Sequence, residues 1–174
     1  MTVSFVPVTT DEQTHQLADM AGAIWREYWP AHIGAAQTEY MIEHFQSYEA
    51  ISRDMALPTN PYEYWFVVVN QGEETERIVG FTGGHDEPET NRFFISKIYL
   101  LAEERGKHFA SRIIEFYTQL CQERGFRAMY LTVNKHNDLG VRAYLGKGFE
   151  TIESVETDIG EGFIMDDYIM EKKA

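Results

Sequence analysis

Residues 95 to 110 read ISKIYLLAEERGKHFA and form the most informative part of the chain. It predicts a strand, a short acidic turn and the start of a helix, at Arg105, Gly106, Lys107, His108, Phe109 and Ala110. The first backbone N–H groups of a helix lack partners and carry partial positive charge, so a phosphate can bind there. Gly106 lets the backbone approach a ligand closely, and Arg105 and Lys107 add full charges. We therefore predict a pyrophosphate-binding segment at residues 105–110, called the phosphate loop below.

A second segment follows further along the chain. A strand-like run, MYLTV, leads to Val133, Asn134 and Asn137, then to a helix with Ala143 and Tyr144, and then to Gly148 and Phe149. Together the two segments resemble the GNAT N-acetyltransferase superfamily. Its phosphate loop is commonly written Q/R-x-x-G-x-G/A, and its second half V-N-x-x-N, then A-x-x-Y, then x-x-x-G-F. The resemblance is strong over residues 92–150.

The phosphate loop departs from the family pattern at His108, where the family often has glycine. The backbone amides can still point at a phosphate, provided that His108 keeps a right-handed helical φ. The departure concerns the fit of the loop and not its use. For the loop taken alone, an ordinary helix start with a basic turn is the alternative.

Length and composition favour one globular domain over residues 1–174. The chain is 44% hydrophobic and 14% aromatic, which suits a packed core and not disorder. The longest apolar run, residues 65–69, is too short to span a bilayer, and the N-terminus does not read as a signal peptide. Cys121 is the single cysteine, so no internal disulfide can form. We expect a cytoplasmic protein.

The charge balance is strongly acidic. Fifteen basic residues stand against 28 acidic ones, giving a formal net charge of −13. Nucleic acids and anionic membrane surfaces need a basic partner, so neither is expected to bind. The acidity serves solubility or attracts cationic small molecules, and both interpretations stay open.

The hydrophobic pattern predicts seven strands and four helices. The strands cover residues 3–8, 62–70, 77–82, 92–101, 127–133, 151–159 and 163–172. The helices run from a capping box at Thr10 and Gln13 to Pro30, over 36–54, from 105 to Gly125, and over 138–147. The second helix is expected to bury Met41, Phe45, Tyr48 and Ile51. Turns are predicted at 71–74 and 160–162, and a loop at 83–88.

This order is the usual one of the GNAT superfamily. The expected fold is α/β (α+β): a mixed, mostly antiparallel seven-stranded sheet flanked by helices, with strands splayed at the cofactor site. The resemblance implies that acetyl-CoA binds between strands 92–101 and 127–133. The backbone of Ile98, Tyr99 and Leu100 would contact pantetheine and the thioester carbonyl, although these residues can also serve as core.

The second segment carries the other residues that the resemblance assigns. Tyr144 matches the general acid near the CoA sulfur, with packing on the sheet as the alternative. A phenol is a weaker acid than a thiol, so a hydrogen bond to the thiolate competes with full proton donation. Asn137 would bind the cofactor and cap the next helix, Asn134 is a weaker candidate for the cofactor, and His136 is expected to be solvated.

The general base stays open. The candidates are Glu27, His85, Asp86 and Glu87, each of which can equally be a solvated surface residue. No metal site is expected, because the six histidines are scattered. Asp166 and Asp167 are neighbours on a strand and should point to opposite faces.

The resemblance implies transfer of an acetyl group from acetyl-CoA to a primary amine. Acidic and aromatic residues on the expected acceptor side favour a small cationic amine such as a polyamine: Glu27, Asp86, Glu87, one of Asp166 and Asp167, Trp25, Tyr28, Trp29 and Tyr62. The segment Asp158 to Met170 also brings to mind bacterial polyamine-type relatives. A protein or peptide acetyltransferase and a non-catalytic acyl-CoA-binding module remain alternatives, and a homodimer stays open.

Overall fold

The computed structural model describes residues 1–70, 72 and 76–174. The strands are β1 Thr2–Pro7, β2 Glu63–Asn70, β3 Arg77–Glu87, β4 Arg92–Leu100, β5 Ala128–Asn134, β6 Glu150–Gly160 and β7 Phe163–Lys173. The helices are α1 Asp11–Tyr28, α2 Pro30–Ile33, α3 Ala35–Met41, α4 Tyr48–Met55, α5 Phe109–Arg124 and α6 Asp138–Gly146, with a π-helical turn at Ile42–Gln46. The predicted turn at 71–74 lies outside the described residues apart from Gly72.

The seven strands form one sheet in the order β1-β2-β3-β4-β5-β7-β6. The β4–β5 pair is parallel, whereas the pairs β1–β2, β2–β3, β5–β7 and β6–β7 are antiparallel. The predicted mixed, mostly antiparallel sheet flanked by helices is therefore confirmed.

The chain forms two compact units. Unit 1 comprises Met1–His85 and Lys97–Ile113, and unit 2 comprises Asp86–Ser96 and Ile114–Ala174. The core of unit 1 includes Leu17, Ile51 and Phe81, all fully buried. In unit 2, Phe93 packs against Tyr117 with ring centroids 5.2 Å apart. The prediction of a single domain over residues 1–174 stays a prediction.

Strand β3 is longer than the sequence predicted. The expected loop at 83–88 was wrong for residues 83–87, which continue the strand and pair Gly83 with Tyr64 and Gly84 with Glu63. A Cβ at Gly83 would lie 2.4 Å from a ring carbon of Tyr64. Glycine at this position therefore makes room for the tyrosine ring, a reason that the turn-like pair Gly83-Gly84 did not reveal.

The predicted helix over residues 36–54 was wrong as one element. Helix α3 passes into the π-helical turn Ile42–Gln46 and ends at Ser47, whose side chain caps α4 by accepting from the Ala50 N–H at 3.2 Å. The extra residue in the π-helical turn shifts the buried face. Met41 and Ile51 are buried as predicted, but Phe45 and Tyr48 are half-buried, and Ile42, Gln46 and Ala50 are buried in addition.

Capping residues and glycines predicted the ends of helices and strands more reliably than the hydrophobic pattern predicted unbroken helices. The capping box of Thr10 and Gln13 is present at the start of α1. Gly125, with φ of +75°, follows the end of α5 as predicted. Gly160, Glu161 and Gly162 all take positive φ at the β6–β7 turn. Among the described helices, none is long and apolar enough to cross a bilayer.

Candidate active site

The phosphate loop lies in unit 1 and precedes α5 instead of forming its first turn. A 3₁₀ turn, Ala102–Glu104, leads into residues 105–108, and the helix begins at Phe109. The prediction of a helix start at Arg105 was therefore four positions early. Gly106 has a φ of +77°, which favours glycine.

The loop presents a run of backbone donors. In the part of the chain that the structure describes, the N–H groups of residues 106–111 have no hydrogen-bond acceptor, and the next one, on Arg112, bonds to the carbonyl of His108. Gly106, Lys107 and His108 are exposed, whereas the Phe109 side chain is buried. Unpaired N–H groups at a helix start are suited to a phosphate, so a pyrophosphate fits this loop. Phe109 can take part only through its backbone.

His108 does not keep a right-handed φ. Its φ is +67°, so the condition set for the loop, a right-handed helical φ at His108, is not met. A glycine, which the family often has here, adopts such a φ without the steric cost that a Cβ adds. His108 thus reproduces the backbone path expected of glycine at the cost of local strain.

Both cations of the phosphate loop have carboxylate partners. Arg105 Nη2 lies 2.9 Å from Glu27 Oε2, and its guanidinium lies 5.1 Å from the Tyr28 ring centroid. Lys107 Nζ lies 3.1 Å from Glu104 Oε2. Glu104 is 3% exposed and also accepts from Arg77. These pairs orient the two cations, and a bound pyrophosphate would share them.

Strand β4 continues beyond its pairing with β5. The parallel register joins Arg92–Ile95 to Ala128–Leu131, whereas β4 runs on to Leu100 and β5 to Asn134. Ile98, Tyr99 and Leu100 lie in this further part of β4 and are half-buried. The Tyr99 ring packs on Phe81, with centroids 5.4 Å apart. The side chains thus help the core, and the backbone lies past the end of the parallel pairing.

The second segment that resembles the family, residues 133–149 and called the second motif below, lies in unit 2. Asn137 Oδ1 accepts from the Gly140 N–H at 3.0 Å, which confirms the predicted cap of α6. Asn134 Oδ1 accepts from the His136 N–H at 2.9 Å, and His136 is exposed as predicted. Tyr144 is half-buried, and its ring meets Phe149 edge to face at 5.7 Å. Asn134, Asn137 and Tyr144 therefore lie in one unit, and the phosphate loop and residues 98–100 lie in the other.

The Acetyltransferase (GNAT) family profile matches residues 21–149 of the chain. The chain belongs to the GNAT family of acetyltransferases. A search among curated proteins found no match. The family membership confirms the resemblance that the two motifs carried.

Solved structures of GNAT proteins share the fold. A PaiA N-acetyltransferase from Thermoplasma acidophilum in complex with coenzyme A is 19% identical over 100% of both chains, with a TM-score of 0.76. A probable GNAT acetyltransferase from Chromobacterium violaceum is 12% identical over 99% and 83% of the two chains, with a TM-score of 0.73. A chimera of spermidine N-acetyltransferase from Vibrio cholerae and hSSAT is 15% identical over 99% and 96%, with a TM-score of 0.66.

Three of the four base candidates for a GNAT reaction are engaged by cations. Glu27 pairs with Arg105, and Asp86 Oδ1 lies 2.6 Å from Arg124 Nη1. Burial acts to raise the pKa of Glu87, but hydrogen bonds from Thr90, Tyr130 and Arg92 outweigh it and hold that pKa below its usual value. His85 contacts the Tyr62 ring, with centroids 5.0 Å apart.

Asp166 and Asp167 differ as their alternation on β7 predicted. Asp166 is half-exposed and lies 2.6 Å from Lys135 Nζ. Asp167 is 6% exposed. Burial, together with the Asp166 carboxylate, raises the pKa of Asp167 to about 6. The carboxyl of Asp167 therefore gains and loses its proton near pH 6, and it is mostly ionised at pH 7.

The predicted acceptor aromatics fall into two groups within unit 1. Trp25, Tyr28 and Trp29 contact one another at the end of α1, with Trp25–Trp29 centroids 5.2 Å apart. Tyr62 lies instead with Tyr64 and His85. The ring of Tyr28 already faces the Arg105 guanidinium, which limits its use for a cationic ligand.

Sequence reasoning missed Lys97, which lies in β4 directly before Ile98. Lys97 is 5% exposed, and its Nζ donates to the Phe45 carbonyl at 2.9 Å and to the Tyr64 hydroxyl at 3.0 Å. Burial lowers the pKa of Lys97 to about 7. Its only sequence signal was a lysine in the strand FFISKIYL, whose other residues are apolar or aromatic apart from Ser96.

Proposed function

We propose that this protein transfers the acetyl group of acetyl-CoA to a primary amine of a small, cationic molecule. The observation that carries the proposal is the phosphate loop, with its unpaired N–H groups and the side chains of Arg105 and Lys107, in a chain of the GNAT family. The loop donors suit the pyrophosphate of a CoA thioester. A cytoplasmic location and a homodimer remain predictions.

The proposal divides cofactor binding among named residues. The pyrophosphate binds the phosphate loop: Arg105, Gly106, Lys107, His108, Phe109 and Ala110. The backbone of Ile98, Tyr99 and Leu100 receives pantetheine, since amide groups past the end of the β4–β5 pairing need partners. The remaining contacts with the cofactor come from the second motif, through Asn134, Asn137 and Tyr144.

The proposed chemistry is direct attack of the amine on the thioester carbon. A backbone N–H in the segment 98–100 stabilises the oxyanion that forms on the carbonyl. Tyr144 donates a hydrogen bond or a proton to the departing sulfur. No resident metal is expected in this reaction.

The acceptor class rests on charge and on the similarity to other proteins. A net charge of −13 favours cationic ligands, and one protein of similar fold is a spermidine N-acetyltransferase chimera. Polyamines are therefore the first acceptors to test.

Release of free thiol from acetyl-CoA is measured with spermidine, amino acids, aminoglycosides and peptides. Turnover of peptides alone would point to a protein acetyltransferase. Acetyl-CoA binding without thiol release would point to a binding module.

Charge reversal tests the phosphate loop. The double variant Arg105→Glu with Lys107→Glu replaces two attractions with repulsions and also opposes Glu27 and Glu104. We expect calorimetry to show acetyl-CoA affinity reduced by at least about tenfold, roughly 1.4 kcal/mol. The matched control is Arg26→Glu with Lys173→Glu, because Arg26 forms a similar 2.9 Å pair with Glu39 and Lys173 is exposed. Equal affinities of the two folded double variants would contradict the assignment.

Removal of one hydroxyl tests Tyr144. In Tyr144→Phe, kcat should fall more than acetyl-CoA affinity, because the hydroxyl acts when the thiolate forms. The ring contact with Phe149 is retained, so stability should change little. An unchanged kcat with a verified acceptor would make Tyr144 a packing residue.

A further inference from the structure

Asp167 is a buried residue, and among the described residues no hydrogen bond to its carboxylate is found. Asp167 is 6% exposed, and no donor in the described residues bonds to its oxygens. Its neighbour Asp166 is about one-third exposed, with a side-chain exposure of 34%, and forms an ion pair with Lys135. Buried charges are normally paired, because desolvation without compensation is costly. An unpaired buried carboxylate therefore needs an explanation beyond folding.

The position of Asp167 connects it with the second motif of unit 2. In the antiparallel register of β5 and β7, Asp167 is the partner of Asn134, and Ile169 is the partner of Thr132. Directly opposed residues of antiparallel strands project to the same face of the sheet. Asp167 therefore shares a face with Asn134, at the end of β5 that has passed beyond its pairing with β4.

We propose that Asp167 is the general base that takes the proton from the ammonium group of the acceptor. This inference rests on the proposed N-acetyltransferase function and names the residue that sequence reasoning left open. It also gives the cationic acceptor a carboxylate to bind in unit 2, one that forms no ion pair with the described lysines and arginines.

The proton balance of the step is simple. The acceptor enters as R–NH₃⁺ and transfers one proton to the Asp167 carboxylate, which leaves R–NH₂. The nitrogen lone pair forms the C–N bond at the thioester carbon, and the C–S bond breaks as the tetrahedral intermediate collapses. The second nitrogen proton goes to the departing thiolate. Asp167 then returns its proton to solvent, so the sum is amide, free thiol and one proton.

The acidity of Asp167 suits this role. With its pKa raised to about 6, the side chain is still ionised in roughly nine molecules of ten at pH 7. Each unit by which that pKa rises makes transfer from an amine of pKa about 10.4 roughly tenfold less unfavourable. Glu27, Asp86 and Glu87, the other acidic candidates, are held by Arg105, Arg124 and Arg92.

The charged groups around Asp167 are few. Asp166 on β7 raises the pKa of Asp167, and Lys135, which follows β5, lowers it. On β6, Val155 is opposite Asp167 and Glu156 is opposite Asp166. Tyr168, the next residue on β7, lies beside Lys135, with the Lys135 Nζ 5.6 Å from its ring centroid. Asp167 therefore titrates near pH 6 and the buried Lys97 of unit 1 near pH 7, and Asp167→Asn removes only the first of these two titrations from the pH profile.

The test compares two amines in wild type and in Asp167→Asn. Spermidine is the alkylamine, and glycinamide is the amine whose pKa lies near that of an α-amino group, about 8. In Asp167→Asn we expect kcat/KM for spermidine at pH 7 to fall about 10²- to 10⁴-fold. The loss should be much smaller for glycinamide, because a larger share is already neutral. The acidic limb of the wild-type pH profile, near pH 6, should disappear.

Asp166→Asn is the matched control, since it removes a carboxylate from the adjacent position of the same strand. It should keep most of the activity and an acidic limb, moved to lower pH because the Asp166 carboxylate raises the pKa of Asp167. Thermal unfolding and acetyl-CoA calorimetry establish that Asp167→Asn folds and binds the cofactor. If it does not fold, Asp167→Ser takes its place in the same comparison, and ¹³C NMR titration of the wild-type carboxyl measures its pKa directly.

The outcomes separate this inference from the function on which it rests. Wild type that binds acetyl-CoA and acetylates neither amine overturns the proposed function, and the role of Asp167 falls with it. Wild type that acetylates spermidine, with an acidic limb retained in Asp167→Asn or an equal loss for both amines, overturns only the role of Asp167.

Discussion

Lys97 is a cation inside the core of unit 1, and its protonation is coupled to folding. Burial lowers the pKa of Lys97 from 10.5 to about 7. Between these values the unfolded chain holds one more proton at this side chain than the folded chain does. The free energy of unfolding therefore rises with pH across that window, by on the order of 1 kcal/mol per pH unit. Below pH 7 both states are protonated, and the burial penalty stays constant.

Lys97→Met tests this coupling. The variant lacks the titrating amine. The free energy of unfolding of wild type, minus that of Lys97→Met, should therefore increase as pH rises from 7 to 9. Urea unfolding at several pH values measures the difference, in which groups common to both proteins, such as Cys121, cancel. Lys173→Met, at an exposed lysine, is the control and should run parallel to wild type. A constant difference between wild type and Lys97→Met would mean that Lys97 titrates as in water.

Single residues also mark where sequence reasoning ends. A lysine is expected at the surface, and Lys97 can be buried because the Phe45 carbonyl, distant in sequence, accepts a hydrogen bond from its Nζ. His108 takes a positive φ because of its place in the turn, which residue type alone does not reveal. By contrast, the Asn137 cap was predictable, since cap and helix are neighbours in sequence.

At the scale of elements, local signals predicted strands and helix ends better than helix continuity. The π-helical turn Ile42–Gln46 carries no Gly or Pro, so nothing in the periodicity indicated a break before Ser47. In β3, glycines that usually signal a loop serve instead to fit the strand against its neighbours. Residues distant in sequence contact both elements: the Tyr64 ring lies against Gly83 in β3, and Lys97 Nζ donates to the Phe45 carbonyl in the π-helical turn.

Gly80 in β3 illustrates such a contact and yields a prediction. A Cβ at Gly80 would lie 2.2 Å from the carbonyl oxygen of Tyr99 in β4, so the backbone of one strand must move. Gly80→Ala should lower the free energy of unfolding by about 1–3 kcal/mol. It should also weaken acetyl-CoA binding, because Tyr99 belongs to the segment proposed for pantetheine.

The control is Gly146→Ala at the end of α6, where a Cβ meets nothing within 4 Å. That substitution should be neutral or stabilising by up to about 1 kcal/mol, since alanine favours a helix. Chemical denaturation and calorimetry compare the two variants. If Gly80→Ala is as stable as Gly146→Ala, the close approach of β3 to β4 has been overstated.

For the whole molecule, two short motifs predicted the family and its seven-stranded sheet. Backbone binding of phosphates and a helix cap have local sequence signatures, so residues 92–150 pointed to the family, and the hydrophobic pattern of the whole chain supplied the order of the strands. The acceptor has no such signature, because the side chains that would bind it are dispersed through the sequence and vary with the substrate. The net charge of the whole chain gives evidence about the acceptor that neither motif contains.

The net charge of −13 leads to a prediction about ionic strength. The acids assigned to the acceptor side were Glu27, Asp86, Glu87 and one of Asp166 and Asp167, and all of these except Asp167 have a cationic partner. Local pairing leaves the excess negative charge of the whole chain unchanged, so a polycation should still be attracted from a distance. Screening lengths fall to about 8–10 Å at physiological salt, so the KM for spermidine should rise with added sodium chloride. Glycinamide, with a single positive charge, should show a weaker dependence, which separates screening from a general effect of salt on the enzyme. Identical salt dependence for the two amines would mean that the acidic surface serves solubility alone.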